Sequence, residues 1–166
     1  GADLAGGGGT FGASREAERL AAGDTEDVTR DGGGRVTLRI FESLKPVIAA
    51  VNGAAVGVGA TMLLAMDIRL AADTAKFGFV FARRGITPEA CSSWFLPRLV
   101  GMPAALDWCY SGRVFDAAEA RERGLVSTLH APEDLLPAAR ALAHSYIDSA
   151  APVSMAMVRR LMWRGL

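Results

Sequence analysis

Residue types that hold metals or build covalent scaffolds are scarce in this chain. Its 166 residues contain two cysteines, Cys91 and Cys109, and two histidines, His130 and His144. The cysteines fall in segments that read as helices, which fits reduced cytosolic thiols better than a disulfide framework. The histidines stand far apart with no ligand spacing around them, which argues against a metal centre. Lys plus Arg balances Asp plus Glu, 18 against 18, so no global field attracts nucleic acid or an anionic membrane. No apolar run approaches ~20 residues, which argues against a membrane span. Phosphate-loop and dinucleotide signatures are missing as well. No Lys-Ser or Lys-Thr pair follows the glycines at 57 and 59, and the third glycine of the dinucleotide spacing is not there. Ser92 and Ser93 lack a GxSxG elbow, and neither histidine has an evident triad partner, which disfavours a serine hydrolase.

What the chain does have is a large apolar share and one unusual central stretch. Hydrophobic residues make up 51% and charged residues 22%, enough for a real core within the size of one ordinary domain. Residues 47–51 form a short apolar run behind Pro46, closed by Asn52-Gly53, and read as a buried strand. Gly57, Val58 and Gly59 follow, then an apolar, helix-like run through Met66. Strand, glycine turn and helix together aim free backbone N–H groups at a negative charge. Spacing alone leaves a second reading open, in which the glycines only let a helix lie close to a strand.

The remaining order is loop, helix and strand in alternation. Residues 5–12 are a glycine-rich loop, 14–22 a charged helix and 23–34 an acidic, glycine-rich loop. Apolar residues at helical spacing predict an amphipathic helix over 36–44. Strands are expected at 68–71, 77–79 and 125–129. Thr87 and Pro88 read as the N-cap and first position of a helix. Further helices are expected over 103–110, from Asp116 with Glu119 in a capping box, over 132–149, and from Pro152. The apolar face of residues 135–147 reads as core or subunit packing. Asp67 and Asp73 read as turn-forming residues. Arg83-Arg84 reads as a solvated pair, with phosphate groups as the functional alternative.

Several segments together resemble the crotonase (enoyl-CoA hydratase/isomerase) superfamily. They are VIAAVNGAAVGVGATMLLAMDIRLAAD, AKFGF, GITPEACSSWFLPRLVG and SGRVFDAAEARERGLVS, with Gly1-Ala2-Asp3-Leu4 similar to that family's first oxyanion-hole turn. The resemblance implies an α/β fold, a ββα spiral core over residues 1–129, followed by the start of a C-terminal helical and trimerisation region at 130–166. It also implies that strands preceding the Gly-Ala-Asp turn, and chain beyond residue 166, are missing from this sequence. The family's oxyanion hole maps onto the backbone amides of Ala2 and Val58, and its substrate pocket onto Gly57, Gly59, Thr61, Phe81 and Trp94.

The departures from the family pattern are as informative as the matches. Hydratases of the superfamily use two glutamates, at positions that are Thr61 and Phe81 here, and neither residue can activate water. Glu89, in the Pro-Glu and Ser-Ser run, resembles instead the single base of the Δ3,Δ2-enoyl-CoA isomerases. Phe79, Phe81 and Trp94 suggest an apolar setting, which would bring its pKa toward working pH. Read without the resemblance, Glu89 is also an ordinary first-turn acid favoured by a helix dipole. The implied activity is isomerisation of an acyl-CoA thioester. A hydratase-like lyase and a non-catalytic acyl-CoA-binding subunit are the alternatives. No cofactor is implied, because CoA belongs to the substrate. A cytoplasmic homotrimer or hexamer is expected.

Overall fold

The computed structural model describes residues 32–165. The expectations for residues 1–31, among them the loop at 5–12, the helix at 14–22 and the Ala2 amide, lie outside them.

The chain builds two three-stranded sheets by visiting them alternately. Strands β1 (Ile48–Val51), β3 (Ile68–Ala72) and β6 (Thr128–His130) form the first sheet, all parallel. Strands β2 (Ala54–Val56), β4 (Lys76–Gly78) and β5 (Val114–Asp116) form the second, with β5 antiparallel to β4. Each turn of the path adds one strand to each sheet, which is the spiral implied by the resemblance. β3 is central and reads Ile-Arg-Leu-Ala-Ala, buried from Arg69 onward, as a parallel strand covered on both faces must be. In the second sheet Phe77 lies opposite Phe115, and Trp108 stacks on Phe115 with ring centroids 4.1 Å apart.

Helices close the two sheets. They are α1 (Gly32–Phe41), α2 (Val58–Thr61, continued by a 3₁₀ turn at Met62–Ala65), α3 (Ser92–Val100), α4 (Met102–Ser111), α5 (Ala117–Glu122), α6 (Pro132–Ser149) and α7 (Pro152–Arg164). α6 lies across all three strands of the first sheet and buries Leu135 and Ala139 there, while Leu136 and Ile147 of the same helix face outward. Both α6 and α7 start on proline, as expected, because proline lacks the N–H that a first turn could not use. Asp116 caps α5 by accepting the Glu119 amide. Only half the capping box forms, because the Glu119 carboxylate is taken by Arg113 and by the Trp108 indole at 2.8 Å.

Five expectations need correction. The loop expected through 34 and the helix expected over 36–44 are overtaken by one helix, Gly32–Phe41, that takes in the glycines and stops before Leu44. β2 and β5 were not anticipated, since three-residue strands are too short to display alternation. The helix-like run over 59–66 is one α-helical turn followed by a 3₁₀ turn. The strand expected at 125–129 is shifted to Thr128–His130, because the Leu125 and Val126 amides instead close α5 on the Ala120 carbonyl. No helix begins at Thr87. The N-cap position of α3 is Cys91, and both Ala90 (φ 56°) and Cys91 (φ 58°) take the left-handed conformation that a right-handed helix excludes.

Asp67 does much more than form a turn. Its Oδ2 accepts the Val47 amide at 2.7 Å and the Arg159 Nε at 2.8 Å, and its Oδ1 accepts the Trp163 indole at 2.7 Å. The Arg159 guanidinium is buried and also donates to the carbonyls of Ile40, Phe41 and Ser43. Those carbonyls lie at the end of α1, where a helix leaves acceptors without intrahelical partners. One ion pair therefore ties α1, the entry to β1 and α7 to the residue that precedes β3.

Two outcomes follow for stability. Asp67→Ala leaves a buried arginine uncompensated and is expected to cost about 3–5 kcal/mol, read as a lowered urea midpoint. Arg113, by hydrogen bonding, holds the Glu119 carboxyl well below its ordinary value of 4.5, at about 2. A depressed carboxyl adds stability above its unfolded pKa and loses it as pH falls through the folded one. The stability gap between the wild type and Glu119→Gln is thus expected to be full above pH 4.5 and to shrink between 4.5 and about 2; a gap independent of pH would count against this assignment.

Candidate active site

The glycine turn is built by backbone conformation. Gly57 has φ 60° and ψ −128°, a combination that side chains with a Cβ strongly disfavour. Its amide donates to the Gly78 carbonyl at 3.0 Å, extending the β2–β4 pairing by one bond. Its carbonyl accepts the amides of Ala60 at 2.9 Å and Thr61 at 3.0 Å. The amides of Val58 and Gly59 open the first turn of α2 and have no backbone acceptor among the described residues.

The packing reading of these glycines does not hold. A Cβ built on Gly57 or on Gly59 would meet none of the described residues within 4 Å. Neither residue is glycine to let a helix approach a strand. Gly57 is required by its φ, and Gly59 has room for a Cβ among the described residues.

Glu89 is held from both its ends. At the backbone, its carbonyl accepts the Ser92 amide at 3.0 Å and the Ser92 hydroxyl at 2.6 Å. The two left-handed residues that follow, Ala90 and Cys91, complete this tight turn before α3. Left-handed backbone at residues with a Cβ costs roughly 1–2 kcal/mol each, and such strain gathers at functional sites. At the side chain, Oε1 accepts the hydroxyl of Thr61 at 2.8 Å. Thr61 is itself fully buried at the end of α2. Glu89 is half-buried and precedes α3 by three residues, so the first-turn reading of this acid is set aside.

The predicted residues therefore divide into groups. Gly57, Val58, Gly59 and Thr61 share one turn, and the Thr61 hydroxyl joins that turn to Glu89. Phe81 is buried in the core, and its carbonyl accepts the Arg84 and Ile86 amides. Trp94 lies in an aromatic group with Phe41, Phe95 and Trp163, its ring 4.6 Å from that of Phe95, and Arg98 sits 4.1 Å above it. Phe79 packs with Trp108 and Phe115 in the other aromatic group. Ala2 lies outside the described residues. A cavity of about 270 Å³ opens between α1 and α7, lined by Phe41, Leu44, Arg159, Arg160 and Trp163 among others, and contains none of the predicted site residues. Among the described residues, no group of three His, Cys, Asp or Glu could hold a metal ion.

Sequence reasoning missed the positioning roles of Ser92 and Thr61. Thr61 stood out as a pocket position where a carboxylate was lacking, and nothing in the sequence signals its 28-residue reach to Glu89. Cys109, which the reading kept as a reduced thiol, is partly buried, and burial pushes its thiol above the ordinary value.

Comparison with known proteins gives a consistent answer. The enoyl-CoA hydratase/isomerase family profile matches residues 2–166. The chain is 45% identical to the enoyl-CoA hydratase AFT3-1 of Alternaria alternata over 143 residues, which are 86% of this chain and 48% of that protein. It thus spans about half the length of the curated relatives it matches. A probable enoyl-CoA hydratase/isomerase from Mycobacterium abscessus superposes with a TM-score of 0.76 at 36% identity, covering 80% of this chain and 51% of that one. A monofunctional enoyl-CoA isomerase from M. smegmatis superposes with a TM-score of 0.74 at 31% identity, covering 92% and 78% respectively.

The two glycines are expected to respond differently to one methyl group. Gly57→Ala strains the backbone and should cost about 1–3 kcal/mol. Gly59→Ala, with ordinary helical φ and open space, should cost nothing and gain up to about 1 kcal/mol. Denaturant midpoints of the two variants check this; equal midpoints would show that conformation does not set the requirement at Gly57.

Proposed function

The chain belongs to the enoyl-CoA hydratase/isomerase family, and from that premise we propose that it serves an acyl-CoA-processing enzyme that moves a double bond with Glu89 as its single base. The observation that carries this reading is the fixed carboxylate of Glu89, hydrogen-bonded at 2.8 Å to the turn that begins at Val58. The positions at which hydratases of the superfamily carry their glutamates are Thr61 and Phe81, both buried and neither acidic.

The chemistry follows from these groups. The Glu89 carboxylate takes a proton from the α-carbon of a 3-enoyl thioester. The electron pair left behind delocalises onto the thioester oxygen. The Val58 amide, with the Ala2 amide expected beside it from the resemblance, donates to that oxygen. One such donor is worth about 2.7–4 kcal/mol of barrier in a comparable case. Glu89 then returns the proton to the γ-carbon, and the double bond ends in conjugation with the carbonyl. CoA enters and leaves as part of the substrate, so this step needs no other cofactor.

Hydration is the second reading, favoured by the printed names of the Alternaria relatives. It requires a water-activating group other than Thr61 and Phe81. Assembly as a homotrimer or hexamer in the cytoplasm also belongs to this proposal. It is supported by the apolar face of α7, where Val153, Met157, Leu161 and Met162 are exposed. Among the described residues, no helix is long and apolar enough to cross a membrane.

The test is an assay of the intact natural protein with a 3-enoyl-CoA and with crotonyl-CoA. Conversion of the first to 2-enoyl-CoA is expected. Glu89→Gln should lower it by about 10²–10⁴-fold while binding of the CoA ester survives. Undiminished turnover in that variant would remove Glu89 from the mechanism. Efficient hydration of crotonyl-CoA would favour the second reading, and ester binding without any turnover would favour a binding subunit.

A further inference from the structure

Resting on the isomerase reading, we propose that Thr61 is a positioning residue whose single hydroxyl proton follows the protonation state of Glu89. The hydroxyl has one hydrogen and two acceptors within reach, Glu89 Oε1 at 2.8 Å and the Val58 carbonyl at 3.4 Å. A charged carboxylate is the stronger acceptor, so in the resting site the hydrogen goes to Glu89. Thr61 is fully buried, so its hydroxyl is held beside these two acceptors.

The cycle balances within these groups. When the α-carbon's C–H bond breaks, its proton forms an O–H bond on Glu89 and its electron pair moves into the enolate. Glu89 is then neutral and the weaker acceptor, and the Thr61 hydrogen rotates to the Val58 carbonyl. When the Glu89 O–H bond breaks and the γ-carbon takes the proton, the carboxylate is charged again and the hydroxyl rotates back. No oxidant or further reactant enters. Thr61 thereby stabilises the base in the form that must accept a proton, and releases it in the form that must give one up. Val58 ties the two half-steps together, since its amide faces the thioester oxygen in the proposed mechanism and its carbonyl receives the Thr61 hydrogen.

Among the described residues, the titratable groups on the elements packed around this pair are these. α2 and its 3₁₀ extension carry none, Val58 to Ala65 being apolar apart from Thr61. Cys91 and Arg98 come from the α3 side, and Arg98 is directed to the Trp94 carbonyl and ring. α1, which packs against that 3₁₀ extension, brings Arg35 and Arg39.

The test is the pH profile of kcat/KM for isomerisation in the intact protein and in Thr61→Ser, Thr61→Val and Thr61→Cys. Removing a donor to the charged form raises the pKa of the carboxyl. The acidic limb of Thr61→Val should therefore move to higher pH by about 1–2 units, with kcat lowered at neutral pH and KM little changed. Thr61→Ser should restore the wild-type limb, and Thr61→Cys, a weaker donor, should fall between. The cysteine variant carries the test alone if the valine variant does not fold. Superimposable limbs for Thr61→Cys, Thr61→Val and wild type overturn this inference while leaving Glu89 as base. Equal losses in serine and valine variants with no displacement of the limb overturn it too, since that is the mark of packing. A wild-type protein without isomerase turnover overturns both this inference and the reading beneath it.

Discussion

The ion pair between Asp67 and Arg159 is the constraint on which the rest of the structure hangs. A buried guanidinium is tolerable only when its donors are used, and Arg159 uses them on Asp67 and on carbonyls at the end of α1. The far oxygen of Asp67 holds the Trp163 indole, and its near one holds the Val47 amide at the entry to β1. Asp67 follows the 3₁₀ turn that continues α2, so the same clamp fixes the base of the element that carries Val58 and Thr61. Residues 92 positions apart in the chain meet there. The site is precise because the scaffold behind it is tied down by directional bonds as well as by packing.

In front of that scaffold, the site is made mainly of backbone. Gly57 bends so that two amides open a helical turn with no backbone acceptor among the described residues, and Ala90 and Cys91 bend so that α3 starts late and Glu89 stands before it. The first bend is conformationally easy for glycine. The second is costly at both residues, and the two bonds from Ser92 to the Glu89 carbonyl help to hold it. The direction of the Glu89 side chain is thus set in part by the strained turn that carries it.

The chemistry of the site is narrowed by substitution as much as by placement. By the resemblance, a threonine and a phenylalanine stand where the family's hydratases carry two carboxylates. The threonine is not idle, for it donates to the remaining carboxylate. In the proposed reaction a single base suits a proton that leaves one carbon and returns to another of the same substrate. Such a shuttle needs a carboxylate that is stable when charged yet willing to release its proton, and a hydroxyl with two alternative acceptors meets both needs.

Much of this was legible in the sequence, and the limits of legibility have a physical cause. Proline at 132 and 152, the Asp116 cap, the apolar run at 47–51 and the glycine pair are local signals, because each acts through bonds a few residues long. They determined the starts of α5, α6 and α7, strand β1, the turn at Val58 and, with the resemblance, Glu89 as the residue of interest. The three-residue strands β2 and β5 were illegible, since too few side chains alternate to leave a pattern. The start of α3 was misread because Thr87-Pro88 is a sound local signal that the left-handed pair at 90 and 91 overrides. The Asp67 clamp, the hydroxyl of Thr61 on Glu89 and the open space at Gly59 were decided by tertiary structure alone. Each depends on groups far apart in sequence being brought within about 3 Å, or kept apart, by two sheets that the chain winds between, and no local pattern records that distance.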